Sequence, residues 1–427
     1  MRLLILLSLA AALAKQLAGD GTFFLVLQTD GQVFGVGQDL YGQLGFGSTS
    51  PSRFVPVQMK KLASPGAVDL AAGGNHACLV EKSGQAKCVG SDAYGQLGDD
   101  GAIKNKLALV AVKGLGGVAQ IAAGGDVSCA ILAANGAAKC WGRNDYGMLG
   151  SGDEDSRLVP APVVGFENGG AEQISIGSAH VCVLATTKKI WCAGSNRYGQ
   201  IGDGTSEDKM VPTLVLSNSQ DSFVSVALGL EHTCAATVDG TALCWGRSAG
   251  GQLGTGTTTT SFLPIQVRGI AQQAAWVHAS TYTSFVRLRN GTAVGFGNNW
   301  SGELGTGRAT TSELSPVLFA SGVGQIAEIR GGQGTTCVVL QGEGGVQCLG
   351  ENWVGQMGVG ETTSASLSLL AMQGLPKFQT VKPTGKPVAK PSKKPTKAPT
   401  SKPTKKPTVK PTKKPIKAAT AKPTKKK

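Results

Sequence analysis

Tyr94-Gly95-Gln96-Leu97-Gly98 is the stretch that decides the fold, because the 427-residue chain keeps repeating it. Clear copies stand at 41–45, 146–150 and 198–202, and weaker copies at 250–254, 301–305 and 354–358. Their first glycines are spaced by 51 to 53 residues: Gly42, Gly95, Gly147, Gly199, Gly251, Gly302 and Gly355. A period this constant indicates one supersecondary unit that is built seven times.

The second repeat shows the internal order of a unit. Apolar runs at 68–72, 76–80 and 86–89 are separated by glycine-containing turns at 73–75 and 83–84. Short β-prone runs punctuated by glycine are typical of strands joined by tight turns. The motif and a variable loop follow and lead to the next apolar strand. Each repeat therefore supplies four short strands, which is the content of one propeller blade.

Prolines recur in the same register in five repeats, and repeats two and seven lack them. The column consists of Pro56, Pro160, Pro212, Pro264 and Pro316. Proline has no N–H to donate to a strand ladder, so it is confined largely to edge strands. We therefore expect this column to start the outer edge strand of each blade.

This combination resembles the regulator of chromosome condensation repeat family. Besides the motif copies, segments such as 229–234 (Gly-Leu-Glu-His-Thr-Cys) and Trp245-Gly246 carry the likeness, which covers about residues 16–380. The resemblance implies an all-β, seven-bladed propeller, in agreement with the count of seven repeats. It does not imply one activity, because such propellers serve as nucleotide exchange factors, enzyme inhibitors and receptor ectodomains. Function has to be argued from sites.

Residues 1–14 have the pattern of a secretory signal peptide. Met1-Arg2 precedes a twelve-residue apolar run, and Ala12-Leu13-Ala14 is a small-x-small cleavage site. As a helix the run would reach only about 18 Å, short of the ~30 Å hydrocarbon core, so we expect no membrane span. A buried N-terminal strand is the alternative. With this segment set aside, the predicted propeller occupies residues 15–381.

Ten cysteines form five pairs separated by ten or eleven residues, and repeats one and six lack both members. Because the two cysteines of a pair are present together or absent together, we infer that they form a disulfide. Facing Cα atoms of adjacent antiparallel strands lie within disulfide range. The predicted disulfides are Cys78–Cys88, Cys129–Cys140, Cys182–Cys192, Cys234–Cys244 and Cys337–Cys348. Metal binding and inert buried thiols are the alternatives, and the spacing does not suit zinc knuckles. Disulfides and a signal peptide together predict a secreted protein of the cell wall or matrix.

Two sequons agree with that compartment. Asn290-Gly291-Thr292 and Asn299-Trp300-Ser301 both lie in repeat six. The sequence therefore predicts Asn290 and Asn299 as candidate N-glycan acceptors.

Residue patterns that signal catalysis, a cofactor or a metal are not found in the sequence. His76, His180 and His232 share one repeat position, which favours a structural hydrogen bond to neighbouring backbone over a set of ligands. Nothing in the sequence gives His278 a role. The third-strand tryptophans are expected in the core: Trp141, Trp191 and Trp245. We therefore predict that the protein is not an enzyme and uses no cofactor or metal.

The repeats differ most in the loop after the motif, and loops on a rigid scaffold are where binding usually resides. These loops are chemically dissimilar, from acidic at 153–155 to hydroxyl-rich at 257–261. This chemical variety favours recognition of an uneven protein or glycan surface. The alternative is that the loops only connect strands and are solvated. The candidate binding residues are Asp153, Glu154, Asp155, Arg157, Lys209 and Arg308.

The basic charge of the chain belongs to its C-terminal tail. Residues 382–427 hold 17 lysines, ten prolines and no acidic residue, whereas residues 1–381 have a net charge of −3. This charge distribution does not suit a nucleic-acid-binding propeller. Such a tail cannot bury enough apolar surface to fold, and its prolines favour an extended polyproline-like chain. We expect it to bind an anionic polymer or surface, with a merely solvated tail or an O-glycosylated stalk as alternatives.

The resulting hypothesis is a secreted, monomeric, non-catalytic binding propeller that is tethered to anionic surfaces by its tail. The alternative, from family resemblance, is guanine-nucleotide exchange on a small GTPase such as Ran. The signal peptide, the paired cysteines and the lack of a long insertion oppose it. A third class, an enzyme such as a polysaccharide lyase, lacks an acid/base pair in register.

Overall fold

The computed structural model describes residues 14–60, 62, 66–270, 272–342 and 345–375. The predicted signal peptide, except Ala14, and the lysine-rich tail lie outside these residues. The described residues form a seven-bladed β-propeller of seven four-stranded antiparallel sheets. Each blade is built from four consecutive strands, as the repeat predicts. No helix in the described part of the chain is long and apolar enough to span a membrane.

The strands of blades 1 to 4 have the following bounds. Blade 1 contains β1 (Ala14–Gly19), β2 (Phe23–Gln28), β3 (Val33–Asp39) and β4 (Ser50–Gln58). Blade 2 contains β5 (Ala67–Ala72), β6 (His76–Glu81), β7 (Ala86–Gly90) and β8 (Lys106–Ala111). Blade 3 contains β9 (Val118–Gly124), β10 (Val127–Leu132), β11 (Ala138–Gly142) and β12 (Arg157–Pro162), with a 3₁₀ turn at Asp145–Gly147. Blade 4 contains β13 (Ala171–Ile176), β14 (His180–Ala185), β15 (Ile190–Gly194) and β16 (Lys209–Leu214).

The remaining three blades follow the same order. Blade 5 contains β17 (Phe223–Leu228), β18 (His232–Thr237), β19 (Ala242–Gly246) and β20 (Ser261–Gln266). Blade 6 contains β21 (Ala274–Ala279), β22 (Thr283–Leu288), β23 (Ala293–Asn299) and β24 (Thr310–Leu318). Blade 7 contains β25 (Ile326–Gly331), β26 (Thr335–Leu340), β27 (Val346–Asn352) and β28 (Thr363–Ala371). In blade 2 the three strand ranges predicted from sequence agree with the structure to within one residue at each end.

The first strand of each blade is innermost, and the seven first strands surround a central channel of about 230 Å³. The apolar core is not one cluster but seven, one at each interface between neighbouring blades. The cluster between blades 2 and 3, for example, joins Cys78 and Leu97 to the fully buried indole of Trp141. Trp245 is equally buried, whereas Trp191 is only partly buried. Hydrophobic burial therefore holds blade to blade.

The repeated motif makes the close contact between neighbouring blades. Gly95 has a φ of +80°, and a Cβ there would lie 2.8 Å from the Cα of Leu158 on the outer strand of the next blade. Only glycine allows this approach at this conformation. The corresponding contact of Gly355 is with Phe54 in blade 1, so the same kind of contact joins blade 7 to blade 1 and closes the ring. Within the motif, Gln96 Oε1 accepts the backbone N–H of Tyr94 at 2.9 Å, which fixes the turn.

The proline column does not start the outer strand as predicted. Pro160 lies inside β12, and the equivalent prolines lie inside β4, β16, β20 and β24. In blade 3 the register shifts between the pair Cys140–Ala161 and the pair Gly142–Arg157, so Pro160 falls within a bulge. A bulged position on an edge strand makes no ladder bond that needs a proline N–H. The prolines do mark the edge strands, but their predicted place at the start of those strands was wrong.

The five predicted disulfides are confirmed. Each joins directly facing residues of the second and third strands, with Cα–Cα distances of 4.0 to 4.1 Å. Each bond therefore closes the hairpin within one blade. The described residues include no free cysteine.

The histidine column is structural, but its partner is not the backbone that the sequence predicts. His76 Nε2 lies 2.8 Å from Ser128 Oγ on the next blade. Ser128 Oγ donates to the carbonyl oxygen of Gln96 at 2.9 Å, so the imidazole must donate to the hydroxyl. The same carbonyl accepts the indole N–H of Trp141 at 2.9 Å. His180 and His232 repeat the arrangement with Thr233 and Ser284.

A second set of polar contacts, which we call the inner belt, joins neighbouring first strands around the channel. A side chain at one repeat position bonds the backbone of the next first strand in six of the seven blades: Gln16, Asp69, Gln120, Gln173, Ser225 and Glu328. Glu328 Oε2 accepts the N–H of Leu17 at 2.7 Å, which joins blade 7 to blade 1. Blade 6 has Trp276 at this position, and there His278 Nε2 accepts the N–H of Gly331 at 2.8 Å. His278 thus has a scaffold role that the sequence did not reveal.

The histidine contacts predict a pH dependence of stability. Burial lowers the pKa of His76 to about 4, and burial with the nearby His232 lowers that of His180 to about 3. Because the unfolded value is about 6.5, the unfolded chain binds more protons in acid. The stabilisation is complete above pH 6.5 and is lost as the pH falls toward 3. We expect His180→Gln to reduce the slope of unfolding free energy against pH by about 1.4 kcal/mol per unit between pH 6 and 4. Guanidinium denaturation across this range measures it, and an unchanged slope would contradict the assignment.

Ring closure through Glu328 predicts a second stability effect. Glu328→Ala leaves the Leu17 N–H without its acceptor and Arg330 without the carboxylate at 2.8 Å. We expect a loss of about 2–3 kcal/mol in unfolding free energy. The exposed Glu167→Ala is the matched control and should change stability by less than about 0.5 kcal/mol. Equal denaturation midpoints for the two variants would remove Glu328 from ring closure.

Candidate functional site

One face of the propeller carries all the variable loops. Strand direction alternates within a blade, so first-to-second turns and third-to-fourth loops emerge on the same side. We call this side the loop face; in blade 1 it comprises residues 20–22 and 40–49, with their equivalents in the other blades. The second-to-third hairpins and the connections between blades lie on the opposite face.

A buried polar side chain, Asn or Asp in six blades, lies between the motif and the variable loop, a column that the sequence reasoning missed. Its members are Asp39, Asp92, Asn144, Asn196, Asn299 and Asn352, and blade 5 has Ser248. Asn144 Oδ1 accepts the N–H of Leu149 in the motif at 2.8 Å. Its Nδ2 donates to the carbonyl oxygens of Asp153 and Asp155 at 2.9 and 3.0 Å. One side chain therefore holds both motif and loop. Its 51- to 53-residue spacing was a signal that could have revealed it.

The acidic loop of blade 3 is organised from within. Asp153 is joined to Arg157 at 2.5 Å and accepts bonds from Ser151 Oγ and the Asp155 N–H. Desolvation raises the pKa of Asp153, but these hydrogen bonds outweigh it and the net direction is downward. Asp153 and Arg157 thus shape the loop. Glu154 and the largely exposed Asp155 remain accessible to a partner.

The other two candidate residues also pair within their own blades. Lys209 lies 3.2 Å from Asp203, and Arg308 lies 3.5 Å from Glu313. Arg308 is the more exposed of the two, with about two thirds of its side chain accessible. The structure brings all six candidates to the loop face, on blades 3, 4 and 6, and not into one cluster.

Blades 3 and 5 each carry an arginine that is paired with a carboxylate and stacked on a tyrosine of the preceding blade. The guanidinium carbon of Arg143 lies 4.9 Å from the ring centroid of Tyr94, and Arg143 pairs with Asp145 at 2.5 Å. Arg247 lies 4.9 Å from the ring of Tyr198 and pairs with Glu231 at 2.5 Å. Each arginine therefore joins two neighbouring loops by stacking and by charge.

One repeat position, two residues before the first motif glycine, distinguishes blades 6, 7 and 1 from the other four blades. There the chain places Trp300, Trp353 and Leu40, which are 67%, 65% and 50% exposed. The other four blades have small or charged residues at this position: Ala93, Asp145, Arg197 and Ala249. The three blades are consecutive in the ring because blade 7 closes onto blade 1. We call these three residues the aromatic sector.

The titratable groups near the channel do not form a metal site. Burial, with a smaller contribution from the Asp126 carboxylate, raises the pKa of Asp20 to about 7. Three of the four histidines are buried and His278 is partly buried, and desolvation lowers each pKa, so they are neutral near pH 7. In the described part of the chain, no three His, Cys, Asp or Glu side chains are grouped closely enough to hold a metal ion.

The two sequon asparagines have opposite environments. Asn290 is exposed in the β22–β23 turn, where its Oδ1 accepts bonds from the N–H and hydroxyl of Thr292. Asn299 is fully buried, and its Nδ2 donates to the Arg308 carbonyl and to Thr310 Oγ1, both at 3.0 Å. A glycan on that nitrogen would prevent the loop from closing. The structure therefore corrects the expectation for Asn299 and leaves Asn290 as a candidate.

We expect the folded protein, expressed through a secretory pathway, to carry a glycan at Asn290 and none at Asn299. Thr292→Ala should abolish the mass shift on glycosidase treatment, because it removes the exposed sequon. Ser301→Ala, the matched control, should leave the shift unchanged. Glycopeptide mapping of soluble protein that found an occupied Asn299 would contradict this prediction.

Comparison with known proteins agrees with this architecture. The family model of the RCC1-like domain matches residues 7–281, and a PT disordered repeat matches residues 382–426. The ultraviolet-B receptor UVR8 of Arabidopsis thaliana is 29% identical over 77% of this chain and 74% of its own. The human E3 ubiquitin-protein ligase HERC2 is 31% identical over 58% of this chain, which spans only 5% of that protein.

Two solved structures share the fold at low sequence identity. Human WBSCR16 aligns with a TM-score of 0.72 at 19% identity, covering 80% of this chain and 94% of that one. Prp20p of Saccharomyces cerevisiae also aligns with a TM-score of 0.72, at 17% identity, covering 82% and 88%. The match of the family model, over more than half of the chain, and the seven blades lead to one conclusion. The chain belongs to the RCC1-like domain family.

Proposed function

We propose that this protein is a secreted, non-catalytic binding module that recognises an extracellular protein or glycan through its loop face. The observation that carries the proposal is the buried Asn/Asp column, which fastens chemically dissimilar loops to one rigid ring. In blade 4, Asn196 Nδ2 donates to the Thr205 carbonyl at 3.1 Å while its Oδ1 accepts the Ile201 N–H at 3.0 Å. Loops held in this way lose little conformational entropy on binding.

The disulfides support the extracellular part of the proposal. Five bonds, each closing a blade hairpin, are typical of proteins from oxidising compartments. The histidines support a non-catalytic role because scaffold hydrogen bonds occupy each of them. The relative UVR8 is named a receptor. The lysine-rich tail, residues 382–427, would add a salt-sensitive tether to anionic polymers or surfaces.

Nucleotide exchange is the alternative. Prp20p has binding properties toward Gsp1p and histones, but 17% identity transfers only the fold of that protein to this chain. The arginine–carboxylate pairs on blades 3 and 5 do not favour a GTPase over another partner. Nucleotide exchange is therefore one of the outcomes that the experiment below can detect.

We expect the full chain, expressed with a C-terminal tag, to appear in the medium with Lys15 as its N-terminal residue and without free thiols. Immobilised full chain should capture a partner from medium or matrix extract. High salt should remove components held by the tail, while the loop-face partner should remain. At least one of Glu154→Ala, Lys209→Ala and Arg308→Ala should weaken capture about tenfold. Lys188→Ala, on the opposite face, is the control.

Two results would overturn the proposal. In the first, the protein stays in the cytosol with reduced cysteines and accelerates GDP release from a small GTPase, which would establish the alternative. In the second, capture is lost in Lys188→Ala and unchanged in all three loop variants, which would place binding on the opposite face.

A further inference from the structure

The aromatic sector, formed by Leu40, Trp300 and Trp353, has no role in the scaffold. Residues at the same repeat position in the other blades are small or charged, so the fold does not require an indole there. Two tryptophans that are each about two thirds exposed on neighbouring blades are therefore unexplained by packing. Large exposed apolar side chains that are concentrated on consecutive blades favour an interaction site.

The two tryptophan-bearing loops are fastened to each other. Ser301, which follows Trp300, donates its hydroxyl to Glu351 Oε1 at 2.8 Å. Glu351 lies two residues before Trp353 on the next blade. Within its own blade, the N–H of Glu351 bonds the Gly334 carbonyl at 2.8 Å, so the bridge is anchored to the scaffold. The indoles thus stand on a rigid platform with a carboxylate between their loops.

The carboxylates of blade 7 beside this platform are unmatched. Residues 331–342 and 345–375 contain Glu351 and Glu361 and no lysine or arginine, and Arg308 in the loop of blade 6 is already paired with Glu313 at 3.5 Å. Glu361 is exposed, and within the described residues neither Glu351 nor Glu361 has a basic side chain within ion-pair distance. On blades 3 and 5, by contrast, the carboxylates of Asp145 and Glu231 are each matched by an arginine. The aromatic sector is therefore the part of the loop face with unmatched negative charge beside exposed indoles.

We propose that the aromatic sector binds a basic segment of a partner protein, with arginine or lysine side chains stacked on Trp300 and Trp353. This inference rests on the proposed binding function of the loop face and names its partner class. Tryptophan is the best aromatic platform for a cation, and the carboxylates of Glu351 and Glu361 strengthen the attraction. A purely apolar partner or a neutral sugar would cover these carboxylates without compensating their charge, at a cost in free energy.

The test uses the full chain and a fluorescein-labelled octa-arginine peptide, with octa-citrulline as its uncharged isostere and cellohexaose as a neutral glycan. Fluorescence anisotropy should show saturable binding of octa-arginine and none of octa-citrulline. The double variant Trp300→Ala/Trp353→Ala should weaken binding about tenfold. Glu351→Gln/Glu361→Gln should also weaken it and reduce its dependence on salt. Arg197→Ala, at the equivalent position of blade 4, should have no such effect.

All variants carry the same lysine-rich tail, so the charge of the tail cancels in the comparison. Circular dichroism should confirm that the variants fold, which the exposure of Trp300, Trp353 and Glu361 favours; Glu351→Gln keeps an oxygen that can accept the Ser301 hydroxyl. Equal affinity of octa-arginine for the wild type and the double tryptophan variant would overturn the inference. Tryptophan-dependent binding of cellohexaose in place of octa-arginine would overturn it as well, in favour of a glycan. If the captured extracellular partner still binds the double tryptophan variant, the proposed function stands and this inference fails.

Discussion

The propeller depends on one contact, made seven times, in which a motif glycine at positive φ lets the backbone press against the outer strand of the next blade. Gly95 against Leu158 is typical, and Gly355 against Phe54 closes the ring. A side chain at either glycine would collide with backbone atoms and separate two blades. The apolar residue of the same motif, such as Leu97, is fully buried at the interface that the glycine opens. The motif is repeated because every interface needs both features at once.

Hydrogen bonds between blades are directional, whereas the hydrophobic burial at the same interfaces is not. Three imidazoles donate to hydroxyls that in turn donate to motif carbonyls, and the inner belt bonds one first strand to the next. These bonds join buried or partly buried groups, and each holds its two partners at a defined distance. They therefore specify the spacing of the blades as well as their association. Burial disfavours the charged imidazolium and lowers the pKa of these three histidines, so they are neutral near pH 7.

A ring with this rigidity can vary its loops without losing its shape. The column separates the two tasks, because its asparagines in blades 3, 4, 6 and 7 bond the constant motif on one side and the variable loop on the other. The loop face is consequently divided by chemistry. Blades 3 and 5 present arginines already engaged by tyrosines and carboxylates, whereas blades 6, 7 and 1 present exposed apolar side chains. Such a division suits one uneven partner surface and not seven equivalent sites.

The sequence by itself determined the number of blades, the strands of each and the five disulfides. These features are local: paired cysteines lie ten or eleven residues apart across one hairpin, and strand order follows from turn chemistry within one repeat. Only the tertiary structure decided the partners of His76 and Glu328, which lie 52 and 311 residues away along the chain. It also decided that Asn299 is buried while its neighbour Trp300 is exposed. Those properties depend on how one blade meets the next, and a period in the sequence places equivalent residues in register without stating what each one touches.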